Sequence, residues 1–431
     1  MTSNTYDIVI IGAGMAGLYA GLELLKRQPK LRVCIADRYK FIGGRAFTYK
    51  GTVDGTDYQW EEGGARISTK HQLVMELMKK YKMTKIPIES TSDYKESGAY
   101  TIEKPLFDEC RAIYLTPLEE LPATVLGSTT IRGLLKKLVK PVELETFLLR
   151  YPYRAEFGIM RADMALRVFR EEFAATEKYV ICGEGLSELV QRMRADFEGR
   201  GGTVLVQHEL VEMRDDRHGV FKKGAPSEGE SRPEVVLEAA KFVFAIPLVA
   251  IKRIAALKDW PLLRHLTMAP LLRVYAVFPP GPNGKRWFEG LPKIVTAQAP
   301  RYIIPNNSEN GSIQISYTDS EDAWPLLRIL DSGDDGEEKL GKKIVEDLRT
   351  LFGDRAIPDP KFVKAYPWKD GVTYWLPGNY DPYVESRRAI QPFPKEHPGW
   401  FVCGESFSTR QCWIEGALEH AKEAVKYITR S

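Results

Sequence analysis

The chain has 431 residues, 44% of them hydrophobic, 28% charged and 11% aromatic, a composition that excludes collagen, a low-complexity tail and a disordered charged arm. Its length favours two or three lobes around cores large enough to need no disulfide staples. Sixty-one Lys and Arg against 58 Asp and Glu leave a net charge of +3, which provides no general field for nucleic acid or an anionic membrane, so neither is expected as a partner.

Five cysteines, at 34, 110, 182, 403 and 412, form no CxxC pair and predict buried thiols in a reducing, cytoplasmic setting. The first residues carry no basic stretch ahead of an apolar one, so no secretory signal is expected. Apolar runs such as 242–251 are half of the roughly 20 residues that a spanning helix needs.

The first element reads as a short buried strand, Asp7 to Ile11. It runs into Gly12-Ala-Gly14-Met-Ala-Gly17 and a helix with Leu18, Leu22 and Leu25 on one face. A second strand, Leu31 to Ala36, ends at Asp37, so the chain opens on a βαβ unit. Lys70 to Tyr81 repeats its apolar residues at helical spacing. The next hundred residues, with Pro87, Pro105, Pro117, Pro122, Pro141 and Pro152 among aromatics, suit a second, mixed lobe. After Gly183-Glu-Gly185 a helix with Leu186, Leu189, Val190, Met193 and Phe197 on one face precedes a strand, Thr203 to Val206. The polar stretch Arg214 to Pro233 reads as an exposed hairpin connection with nothing to offer a core. Phe242 to Ile246 reads as a strand, Asp331 to Glu338 as a second solvated loop. The last segment combines a strand, Trp400 to Cys403, a Gly404-Glu405 turn, and a helix marked by Ile414, Ala417, Leu418, Ala421, Ala424, Val425 and Ile428.

A GxGxxG run between a strand and a helix, with Asp37 about 20 residues beyond its last glycine, is a dinucleotide fingerprint. The glycines allow a tight turn and close approach of a pyrophosphate to backbone N–H groups, and Asp37 can accept ribose hydroxyls. Gly43-Gly44-Arg45 and Glu61-Glu62-Gly63-Gly64-Ala65-Arg66 each place an arginine after a Gly pair, where backbone can approach a bulky group and a guanidinium can meet an anion. The six histidines show no metal-binding spacing, and no GxSxG or Walker loop is present.

Gly12 to Gly17, Asp37, Gly43-Gly44-Arg45 and Gly404-Glu405 together resemble the flavin-dependent amine oxidase superfamily. Within it the chain is most similar to the L-amino acid oxidases: Gly64-Ala65-Arg66-Ile67-Ser68 resembles the segment whose arginine clamps the substrate carboxylate, and Cys412-Trp413-Ile414-Glu415 resembles a Gly-Trp-Ile-Asp segment beside the active site. The resemblance implies an α/β fold: a Rossmann-type FAD-binding domain assembled from residues 1–85, 176–258 and 392–431, and a mixed α+β substrate domain from 86–175 and 259–391. It assigns to FAD the residues Gly12, Gly14, Met15, Ala16, Gly17, Asp37, Arg38, Gly44, Arg45, Gly64, Ala65 and Arg66, with Leu210, Gly404, Glu405, Trp413 and Ile414. It places Arg66, Tyr302, Trp368, Val372 and Trp413 around the substrate, Tyr302 where related oxidases have a carboxylate-binding tyrosine within a residue or two.

Two departures matter. Arg273 stands where the family has a lysine that assists reaction with oxygen, and an arginine cannot be deprotonated, so a dehydrogenase using another acceptor stays open. No cysteine occurs from Asp370 to Pro377, so FAD is expected to be non-covalent. Asp370, beside Val372, reads most simply as a turn residue before Gly371, the alternative being an acceptor for a cationic substrate side chain. The implied reaction is hydride transfer from the Cα of an L-amino acid to flavin N5, giving a 2-oxo acid, ammonia and, with dioxygen, hydrogen peroxide. The alternatives are a primary amine or polyamine oxidase, an amino acid monooxygenase, or a non-catalytic flavin-binding protein. Related oxidases suggest a homodimer.

Overall fold

The computed structural model describes residues 4–90, 92–96, 99–101, 111–151, 153–173, 177–225, 232–353 and 355–430. Four parallel strands form the heart of the first sheet, in the order Thr203–Leu205, Val33–Ala36, Thr5–Ile11, Glu234–Phe244, and Trp400–Val402 adds in parallel beside the last. Their apolar runs are covered on both faces, as parallel strands require, with Val9, Ile10, Ile35, Phe242 and Val243 out of solvent. Helices Met15–Arg27 and Ile414–Arg430 pack against each other over one face, joining the two ends of the sequence.

Glu234–Phe244 serves two neighbourhoods. Its second half pairs in parallel with Thr5–Ile11, while its first half pairs antiparallel with His218–Lys223, which in turn pairs with His208–Met213. The polar stretch from 214 to 233 therefore holds a strand of its own, and the expectation that it could supply no core is corrected: Val220 and Phe221 are buried. Alternation within His-Gly-Val-Phe-Lys-Lys places apolar side chains under the hairpin despite the polar average. Residues 226–231 of that stretch, with Pro105, Pro152 and Cys110, lie outside the described residues.

The second sheet is largely antiparallel, in the order Phe362–Trp375, Leu266–Val277, Ser312–Asp319, Tyr302–Asn307, Ile294–Val295, Asp93–Glu96, Ala99–Thr101. Helices Ser320–Leu330 and Gly336–Leu351 cover one of its faces. The loop expected over 331–338 is shorter than its polarity implied, because Glu337 and Glu338 enter the first turn of the second helix, where acidic groups suit the dipole. Asp370 is likewise no turn residue: it lies within Phe362–Trp375, where Lys369, Asp370 and Gly371 together face Pro270 in a bulge. No helix among the described residues is long and apolar enough to cross a membrane.

Candidate active site

A cavity of about 880 Å3 lies at the carboxyl ends of the parallel strands, where Ile11 runs into Gly12, Ala36 into Asp37 and Phe244 into Ala245. The strand order reverses there, the usual place for a ligand in an open α/β sheet. Three glycines shape this end in different ways. Gly12, at φ +104°, would bring a Cβ within 2.5 Å of the Ala245 carbonyl, and Gly17 would bring one within 2.0 Å of the Gly12 carbonyl, so both are demanded by packing. A Cβ on Gly14 would instead meet nothing nearer than 4.0 Å, which leaves room directly over the start of helix Met15–Arg27. That helix has no side-chain cap, so its first N–H groups face this space as an anion cradle.

Asp37 accepts the Ala13 N–H at 2.8 Å and the Tyr39 N–H at 2.9 Å, which fixes its carboxylate beside the glycine turn, and burial pushes its pKa up. Arg38 pairs with Glu209 at 3.5 Å, bringing the cavity wall against strand His208–Met213. A register shift between Leu210 and Glu212 interrupts that strand's pairing, so Leu210 enters the cavity wall at an irregular backbone.

The Gly43-Gly44 turn is docked on the glycine loop by the Gly43 N–H, which donates to the Ala13 carbonyl at 2.9 Å. Arg45 beyond it is tied on two sides: it donates to the Gly371 carbonyl at 2.9 Å, and its guanidinium lies 2.9 Å from the Glu405 carboxylate. Glu405 also accepts the Cys412 N–H at 2.9 Å and the Thr373 N–H at 3.3 Å. One buried carboxylate thus ties three other stretches of chain to its own, and the bulge at 369–371 is what carries the Gly371 carbonyl to Arg45.

At the other end stands Arg66. It donates to the Tyr153 hydroxyl at 2.8 Å, and its guanidinium lies 5.1 Å from the ring centres of Phe173 and Tyr179, 5.5 Å from Trp413 and 5.6 Å from Tyr153. Among the described residues no carboxylate pairs with it. Burial opposes its charge, but the surrounding tyrosine hydroxyls outweigh this and hold its pKa up. Trp413, on the same wall, has an indole N–H with no partner among the described residues. Arg273 reaches the Glu61 carbonyl and the Tyr275 hydroxyl only at 3.4 Å and lies over the Tyr317 ring, 5.3 Å from its centre. Trp368 is pinned by its indole N–H to the Glu62 carbonyl at 2.8 Å.

The cavity gathers every residue singled out in the sequence except two. Gly17 sits behind it as a packing glycine. Tyr302 is buried directly behind its wall, edge-on to Tyr153 and Tyr317 with ring centres 6.4 and 6.2 Å away, its hydroxyl sharing a 2.6 Å hydrogen bond with Ser92. Two tyrosines that no motif marked, Tyr153 and Tyr317, line the cavity, and so do two acids, Glu156 and Asp319. For Tyr317 and Asp319 a signal existed in their alternation on one strand; Tyr153 and Glu156 follow no pattern.

The model of the flavin containing amine oxidoreductase family matches residues 143–429, about two thirds of the chain, and that of a Rossmann-like NAD(P)-binding domain matches residues 10–81. The chain belongs to the flavin-containing amine oxidoreductase family. It is similar to an L-amino-acid oxidase of Echis ocellatus, 38% identical over 80 residues, and to one of Crotalus adamanteus, 39% identical over 80 residues. Those matches take in 19% of this chain and span only 15% and 14% of the relatives' lengths. Its fold is that of putrescine oxidase. A variant of that enzyme with redesigned cofactor binding superimposes with a TM-score of 0.69 at 17% identity, and the wild type bound to putrescine with 0.68 at 16%, each covering 99% of both chains.

This amine oxidoreductase is therefore a flavin-dependent enzyme, and its cavity fits the cofactor: the open space over Gly14 and the uncapped helix behind it match a pyrophosphate. Of its cysteines, Cys34, Cys182 and Cys403 are buried as expected, but Cys412 is half-buried and lines the cavity. Cys412 has φ +71°, a left-handed conformation that glycine adopts most readily. Cys412→Val is expected to destabilise by about 2 kcal/mol, because a β-branched side chain tolerates that conformation worst, while Cys412→Gly stays within about 1 kcal/mol of the parent. Urea denaturation of the three proteins compares them directly.

Proposed function

We propose that this enzyme oxidises L-amino acids, giving a 2-oxo acid and ammonia, and hydrogen peroxide when dioxygen is the acceptor. The observation that carries the reading is Arg66, a guanidinium in the cavity wall boxed by four aromatic rings and partnered by a phenol in place of a carboxylate. An α-carboxylate offers the planar, two-oxygen acceptor that this fork matches, and a simple amine offers nothing to it. The indole N–H of Trp413 is a further donor on the same wall. With the carboxylate held there, the rings of Tyr153, Phe173 and Trp413 exclude water and restrict the orientation of Cα.

FAD, bound without a covalent link, supplies the acceptor for the Cα hydride. In this reading Gly12, Gly14, Met15 and Ala16 cradle its pyrophosphate, Asp37 takes the ribose, and Leu210 lies at the adenine. Support for a non-covalent flavin comes from Cys412, the only cysteine of the cavity among the described residues, whose thiol burial pushes well above its ordinary pKa. Arg273 keeps a fixed positive charge where the family has lysine, and the reaction with dioxygen is proposed to be slow for that reason. Four free thiols support a reducing, cytoplasmic setting.

The test is an anaerobic mix of the purified holoenzyme with single L-amino acids and with amines lacking a carboxylate, following the flavin's visible band, then admitting air. Bleaching by L-amino acids and not by simple amines is the expected result, with slow return of colour. Bleaching confined to amines without a carboxylate sinks the reading.

A further inference from the structure

Glu156 and Asp319 come from distant parts of the sequence and meet in the wall of the same cavity, each almost wholly out of solvent at 4% and 3% exposure. Asp319 ends strand Ser312–Asp319 and accepts the N–H groups of Arg154 at 2.9 Å and Ala155 at 3.4 Å, which sets Glu156 beside it at the start of helix Ala155–Gly158. Of the two Glu156 oxygens, Oε1 reaches only the Tyr374 hydroxyl, at 3.5 Å, and Oε2 has no hydrogen-bond partner among the described residues. Among the described residues no lysine or arginine forms an ion pair with either acid: Arg66 acts on Glu156 and Arg154 on Asp319 only from a distance, and the Arg154 guanidinium lies 2.7 Å from Asp322 instead. Burial pushes both carboxyls well above their ordinary range, and the Asp319 charge adds to the effect at Glu156. Two adjacent buried acids with no cation in direct contact are costly to ionise, and a ligand that brings one into contact removes much of that cost.

The geometry points to Glu156 and Asp319 as the subsite for the far end of the substrate, taking the cationic side chain of a basic L-amino acid whose carboxylate lies on Arg66. This rests on the amino acid reading above and narrows it. Tyr374 stands two residues beyond Val372 on strand Phe362–Trp375, so an apolar stem along Val372 leads to the acids.

The experiment measures anaerobic flavin reduction of the holoenzyme by L-lysine, L-leucine and putrescine, and repeats it for Glu156→Gln and Asp319→Asn. The parent is expected to favour lysine over leucine by about 100-fold in the second-order rate constant, and each variant to lower that ratio by about 10-fold or more. Binding of 6-aminohexanoate against hexanoate, read from the perturbed flavin spectrum, gives the same comparison without turnover. Leucine equal to or better than lysine in the parent overturns the subsite and leaves the amino acid reading standing, even if a variant fails to fold. An unchanged ratio in folded variants overturns it too. Reduction by putrescine with no response to either amino acid overturns the amino acid reading and, with it, this assignment.

Discussion

Arg66→Leu is expected to lower kcat/KM for L-amino acids by about 1,000-fold, the largest effect of any single substitution in the cavity. Truncating one member of a buried, hydrogen-bonded charge pair costs about 2 to 5 kcal/mol, and the lower half of that range already reaches tens- to hundreds-fold. A misplaced Cα adds to it, because orientation over the cofactor is lost together with binding. Arg66→Lys should recover part of the loss through charge but not the two-pronged geometry, leaving an intermediate kcat/KM. Steady-state kinetics with flavin content matched between proteins measures both. If Arg66→Leu turns over L-amino acids as well as the parent does, the guanidinium is structural and the substrate class proposed for this cavity fails.

The second large effect concerns stability. Arg301→Leu is expected to destabilise the protein by about 4 kcal/mol, seen as a lower urea midpoint and a lower thermal midpoint. Arg301 is buried and donates to four backbone carbonyls: Leu149 at 2.9 Å, Thr296 at 2.7 Å, Leu148 at 3.2 Å and Tyr151 at 2.9 Å. Three of these belong to the C-terminal end of helix Pro141–Arg150, where a helix leaves its last carbonyls without partners. Each buried acceptor left unsatisfied costs about 1 kcal/mol or more, and leucine satisfies none of them. Burial draws the Arg301 pKa down to about 10, so the cation persists through the neutral range and the effect should not depend on pH there. Because Tyr153 and Glu156 follow that helix directly, loss of flavin retention is expected to accompany the loss of stability.

What could be read from the sequence was whatever the backbone itself performs. The Gly12 to Gly17 turn, Asp37 and the Gly43-Gly44 pair act through conformation and spacing within a short stretch, and short stretches are visible in a linear string. Arg66 was legible for a related reason, since two glycines clear the space before it. Glu156 and Asp319 were not legible. They lie 163 positions apart and are joined only by backbone N–H groups at a helix start, a relation that no local pattern encodes. Tyr302 stands one ring back from the cavity wall: its hydroxyl turns to Ser92, while its ring packs edge-on against Tyr317 and Tyr153, which line the cavity. The buried Val220 and Phe221 escaped because averaging over a polar stretch hides a single alternating strand.

The packing of helix Met15–Arg27 on helix Ile414–Arg430 bears on how the protein comes to be made. Strand Thr5–Ile11 is translated almost 400 residues ahead of Trp400–Val402, which completes its sheet, and of the helix after it, which packs on Met15–Arg27. Until then the sheet lacks its last strand and the helix that packs on Met15–Arg27, and contacts between such distant parts of a chain form slowly. The nascent glycine turn therefore emerges long before the flavin pocket can close around it. Growth temperature and chaperone supply should govern the yield of yellow holoenzyme more strongly than the final stability of the folded molecule does.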